Sequence, residues 1–100
     1  NKIRYFKMMG AFGAVKTDAE GLSKISEWQG LAEGKSGSTF STFEPIHYTT
    51  QVVAGTNYKA KIHIGSSTYA HITVWVKLPH TNEGPECTNY EGGKTLEDGF

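Results

Sequence analysis

Gln51-Val52-Val53-Ala54-Gly55-Thr56-Asn57-Tyr58-Lys59-Ala60-Lys61-Ile62-His63-Ile64 is the stretch whose reading decides the fold. From Tyr58 onward, Tyr58, Ala60, Ile62 and Ile64 alternate with Lys59, Lys61 and His63. A period of two is that of a strand with one buried and one wet face. The same period holds on both sides. Ile46 and Tyr48 alternate with His47 and Thr49, and Ala70, Ile72, Val74, Val76 and Leu78 with His71, Thr73, Trp75 and Lys77. Gly65-Ser66-Ser67 reads as a tight hairpin between the second and third runs. Ala54-Gly55-Thr56-Asn57 reads as a turn between Val53 and Tyr58. Pro79 ends the third run, because proline cannot donate to a ladder. A last strand is expected over 86–91.

Upstream the period lengthens. Leu22, Ile25, Trp28 and Ala32 recur at three-to-four-residue spacing and predict one helix over 18–32 with a single apolar stripe. Thr17 or Asp18 can cap its start, and Gly34 can close its end. Gly21 and Gly30 each weaken a helix by roughly 1 kcal/mol relative to alanine, so packing must supply the difference. One helix covering the apolar face of an antiparallel sheet is an α+β architecture of two layers.

The chain's 100 residues are expected to form one domain, 1–100, with 1–7 as an extension. Lysine plus arginine equal aspartate plus glutamate, so the formal net charge is zero. That balance gives no electrostatic reason to expect nucleic acid or an anionic membrane as partner. No apolar run is long enough to span a bilayer as a helix. The one cysteine, Cys87, allows no internal disulfide and favours a reducing, cytoplasmic setting or a fold that needs no staple. Residues 1–7 lack the apolar centre of a signal peptide. The chain begins with Asn1 rather than Met, so a secreted location stays open if a leader has been removed.

Three segments are not explained by a core. Gln51-Val52-Val53-Ala54-Gly55 places adjacent valines where a polar turn is expected; either one valine points outward or the strand continues and both are core. Trp75 falls on the polar face of its strand, close to Leu78-Pro79-His80, where it is either an interface anchor or the cover of a sheet edge. Met8-Met9-Gly10-Ala11-Phe12-Gly13 is apolar, although termini are usually polar.

Gln51-Val52-Val53-Ala54-Gly55-Thr56-Asn57-Tyr58 resembles the signature of the cystatins, in the form of the stefins, or type 1 cystatins. Leu78-Pro79-His80 resembles the stefin second loop, Thr88-Asn89-Tyr90 the last strand, Asp98-Gly99-Phe100 the C-terminus and Met8-Met9-Gly10 the start. Ala11 stands where stefins commonly have a second glycine, and Pro85-Glu86-Cys87 replaces an apolar strand entrance. The resemblance implies a five-stranded antiparallel sheet wrapped around one helix. It also implies a reversible, tight-binding inhibitor of papain-like cysteine endopeptidases such as cathepsins. The inhibitor would fill the enzyme's cleft with a trunk, Met8, Met9 and Gly10, and two loops, Gln51, Val52, Val53, Ala54 and Gly55, then Leu78, Pro79 and His80. No catalytic residue, metal or cofactor is implied. The expected state is a monomer able to exchange strands into a domain-swapped dimer.

Three rival readings are weaker. Cys87 and His80 could form a thiol–imidazole pair, but no helix N-terminus or cationic run adjoins the cysteine to lower its pKa. His63 and His71 flank the Gly65 hairpin, but two ligands make a poor metal site. A binding module of another kind would have no need of Gln51 to Gly55 intact.

Overall fold

The computed structural model describes residues 12–100. Within them, α1 (Ala19–Ser26) and α2 (Gln29–Ser36) precede four strands, β1 (Glu44–Val53), β2 (Gly55–Gly65), β3 (Thr68–Val76) and β4 (Glu86–Lys94). The strands form one antiparallel sheet in sequence order. The residues 13–16 run along the free edge of β1. Gly13 N donates to Thr50 O at 2.9 Å, and Lys16 and Tyr48 exchange backbone hydrogen bonds of 2.7 and 3.0 Å. This is where a fifth strand would lie, but among the described residues it is an isolated bridge.

Asp18 is the N-cap, accepting from Gly21 N at 2.9 Å. Its other carboxylate oxygen accepts from the Tyr48 hydroxyl at 2.6 Å, which ties the helix start to β1. That bond holds the Asp18 carboxyl below its usual range and pushes Tyr48 up to about 12. Gly21 is needed at this contact: a Cβ would lie 2.2 Å from the Tyr48 hydroxyl oxygen.

The helix expected in one piece is two segments. Glu27 N donates to Lys24 O at 3.2 Å and Trp28 N to Ile25 O at 2.9 Å. These i→i+3 bonds tighten the chain between α1 and α2. The apolar stripe nevertheless runs through the junction: Ile25, Trp28 and Ala32 are all buried. The helical region ends later than 32, and Gly37, at φ +76°, closes it where Gly34 was expected to. Gly30 and Gly34 lie inside α2, and a Cβ on either would meet nothing within 4 Å. Gly30→Ala and Gly34→Ala are therefore expected to raise stability by roughly 0.5–1 kcal/mol each. Thermal unfolding followed by circular dichroism checks this; an unchanged or lowered midpoint would show that α2 does not limit stability.

The helical stripe packs on Tyr48, Ala60, Ile62, Ile72, Val74 and Cys87. Each aliphatic side chain buried this fully contributes roughly 1.5–3 kcal/mol. The opposite face of the sheet departs from the wet face that alternation predicts. Lys61 is 0% exposed and His71 4%. The C-terminal residues 95–100 cover them. Lys61 Nζ donates to the carbonyls of Thr95, Leu96 and Asp98. The Phe100 ring lies edge-on to His47 and His71, with centroids 5.4 and 4.9 Å away.

Candidate functional site

β1 and β2 meet in a hairpin of the tightest kind. Val53 pairs with Gly55 and Val52 with Thr56, which leaves Ala54 alone at the apex. Gly55 makes this possible. Its φ is +108°, and a Cβ there would approach Val76 O to 2.2 Å and the Lys77 Cα to 3.0 Å. The first loop is thus pressed against the end of β3 at backbone distance. Both valines point outward: Val52 is 73% exposed and Val53 40%. The alternative reading, with the strand continuing and both valines in the core, is excluded. At the foot of the loop Asn57 Nδ2 donates to Gln51 Oε1 at 2.9 Å.

The second loop leaves β3 beside the first. Leu78 is extended, Pro79–Thr81 form one 3-10 turn, and Asn82, at φ +56°, closes it. Thr81 supports the turn by donating from Oγ1 to Leu78 O at 2.8 Å. Leu78, Pro79 and His80 are all exposed. A shallow depression of about 300 Å³ joins the loops, lined by Ala54 from one and by Leu78, His80 and Thr81 from the other. The structure therefore brings together all the expected residues of both loops, Gln51, Val52, Val53, Ala54, Gly55, Leu78, Pro79 and His80, at one end of the sheet. Met8, Met9 and Gly10 lie outside the described residues.

Trp75 has a role the sequence did not disclose. It stands between the loops, and its indole Nε1 donates to Ala54 O at 2.8 Å, so it holds the first loop as well as bordering the second. Lys77 is explained by alternation as a lysine on a wet face, with no role at the loops expected of it. The signal was its place two residues after Trp75, on the same side of the strand.

The rival chemistries find no geometry. Cys87 is buried in the core beside Val74, its strand partner. Burial pushes its thiol upward, away from thiolate. His63 pairs across the hairpin with Tyr69 and His71 with Lys61, so the two histidines do not face each other. Among the described residues, no three His, Cys, Asp or Glu side chains converge as metal ligands would.

A family model described as "Cystatin domain" matches residues 28–96. Cystatin-A1 of Sus scrofa is 42% identical over 66 residues, which are 66% of this chain and 64% of that protein. Leukocyte cysteine proteinase inhibitor 1 of Sus scrofa is 44% identical over the same shares. Cystatin-B of Homo sapiens is 38% identical over 66% of this chain and 67% of its own. The matched region thus spans just under two thirds of the length of the first two relatives.

Proposed function

The chain belongs to the cystatin family, and on that footing we propose that it is a reversible, tight-binding inhibitor of papain-like cysteine endopeptidases. One relative is named as a cysteine proteinase inhibitor. The observation that carries the reading is the pair of apolar loops side by side, with Val52 and Val53 exposed on one and Leu78 exposed on the other. Exposed aliphatic side chains on a rigid edge favour burial against a partner.

A papain-like cleft offers apolar subsites around a thiolate activated by histidine. Filling that groove blocks it without reaction at the thiolate. Ala54 and Gly55 are small enough for close backbone approach. The first loop is fixed by β1 and β2 beneath it and by Trp75 beside it, so docking orders little new chain. Leu78, Pro79 and His80 form the second contact. Met8 and Met9 occupy the subsites on the other side of the thiolate, and Gly10 turns the chain away before a peptide bond reaches attack geometry. The target enzymes are cathepsins in a cytoplasmic setting.

We propose further that the first loop is the hinge of a domain-swapped dimer. Val52 and Val53 prefer an unbroken strand, whereas the hairpin demands a turn at the next residue, Ala54. Opening that turn sends β1 and β2 on into a partner's copy of the same fold. The dimer then has no loop to insert.

Active-site titration of papain tests the inhibitory reading. Substrate-competitive inhibition at nanomolar protein is expected. Full papain activity in the presence of micromolar protein would overturn it.

A further inference from the structure

Lys77 sits where the two loops meet, and its contacts run to both. Its side chain is 13% exposed. Its ammonium lies 3.3 Å from Glu86 Oε1 and 3.9 Å from Glu83 Oε1, and donates to Gly84 O at 3.1 Å. All three partners belong to the returning half of the second loop or to the first residue of β4. The same ammonium stands 5.1 Å from the centre of the Trp75 ring, within cation–π range. Trp75 in turn donates to Ala54 O at the apex of the first loop. The backbone of Lys77 is among the atoms that a Cβ on Gly55 would meet, its Cα at 3.0 Å and its carbonyl carbon at 3.1 Å.

We propose that Lys77 is a positioning residue that fixes the second loop relative to the first. It contributes to inhibition by preorganising the two-loop edge rather than by touching the protease. The part concerning inhibition rests on the function proposed above; the coupling of the loops does not. The physical case is that the second loop has little else to hold it. Leu78, Pro79 and His80 are exposed, and the loop is closed internally by one 3-10 turn and by the Thr81 hydroxyl, which donates to Leu78 O and accepts from Glu83 N. A hydrated lysine at the surface would gain little from two half-exposed glutamates. Lys77 differs because its stem is covered and its charge faces a ring on one side and a carbonyl and two carboxylates on the other. Removing the charge frees the returning half of the loop and unstacks the indole. Loop ordering then has to be supplied on docking, which shows in the off-rate.

The test compares Lys77→Met, which keeps the stem, with Lys77→Arg, which keeps the charge and stacks on an indole. Three readouts are taken: papain dissociation rate at low and high salt, acrylamide quenching of tryptophan emission, and the thermal midpoint. Trp28 is buried in the core, so quenching reports Trp75. Lys77→Met is expected to dissociate about fivefold faster, lose the salt dependence of the off-rate and quench more readily, with an unchanged thermal midpoint; Lys77→Arg should restore all three. Salt should accelerate dissociation of the wild type toward the variant, because the glutamate pairs are open to screening. If Lys77→Met matches the wild type in quenching and off-rate, the proposal is overturned. If quenching rises while no form inhibits papain, the inhibitory reading falls and the coupling of the loops stands.

Discussion

Gly55→Ala is expected to weaken papain inhibition by at least about a hundredfold and to drive the protein toward a dimer. Two costs arise at one atom. A residue with a Cβ at φ +108° carries strain of about 1–3 kcal/mol. The new methyl would also lie 2.2 Å from Val76 O, a backbone atom that cannot swing aside without moving β3. Together these approach 3–4 kcal/mol, and each 1.4 kcal/mol is tenfold in affinity. The strain has an exit. If the turn opens, residue 55 becomes an ordinary extended strand residue, and β1 runs on without a break past Val52 and Val53, which already lie in it. Every ladder contact is then remade with a second copy. The same substitution should therefore lower affinity and raise the dimer fraction at high concentration. Gel filtration with an inhibition assay of each peak reads both. A monomeric Gly55→Ala protein that inhibits like the wild type would show that the loop tolerates the methyl and that the hinge lies elsewhere.

The parts of this fold that were legible in the sequence are those written as period. Alternation at Tyr58–Ile64 and Ala70–Val76 placed two strands and named their buried side, and Ile62, Ile72 and Val74 are core as that pattern requires. Leu22, Ile25, Trp28 and Ala32 likewise placed the helical stripe. What period cannot express is a long-range polar contact. The Asp18–Tyr48 bond spans 30 residues, and it explains a glycine at position 21 that propensity alone counts as a defect. The same limit hid the support of the candidate site. Val52 and Val53 stood out because they broke a pattern. Lys77 obeyed one, and its proposed role depends on partners at 83, 84 and 86 that no local rule connects to it. Lys61 and His71 were assigned to water for the same reason: alternation gives the side of the sheet, not what the last six residues lay over it.

That covering tail carries the second large effect, a loss of stability on mild acidification that disappears when the tail is removed. His71 is 4% exposed, and its Nε2 is buried with no hydrogen-bond partner. Burial is the main reason its pKa falls to about 4, and the neighbouring ammonium groups of Lys61, Lys94 and Lys59 add to it against the opposing pull of Glu91. His47, which also meets the Phe100 ring edge-on, is lowered too, by burial first and Lys61 second. In the unfolded chain such a histidine titrates near 6.5. Between pH 6.5 and 4 the unfolded chain therefore binds the proton and the folded one does not. Stability from the neutral imidazole is complete above 6.5, declines as pH falls, and is gone below 4. A separation of this size corresponds to roughly 3 kcal/mol. The carboxylates held low, Asp18, Glu33 and Asp98, lose their contribution only as pH falls through their ordinary values of 4.5 and 3.8 and below, so they overlap the lower end of this window and the step from pH 7.5 to 5.5 reports the histidines. The Phe100 ring lies against His71, and Lys61 anchors the segment that carries it, through its bonds to the carbonyls of Thr95, Leu96 and Asp98. A chain ending at residue 94 should be less stable at pH 7.5, having lost charge-assisted hydrogen bonds worth about 1.5–3 kcal/mol each before the entropy of the freed residues is returned. It should also be flatter from pH 6.5 to 4, because His71 is then hydrated in both states. Lys61→Met should behave alike without shortening the chain. Urea unfolding at pH 7.5, 5.5 and 4 measures each curve. A truncated protein that loses as much stability across this window as the full chain would place the acid sensitivity outside the His71–Phe100 contact.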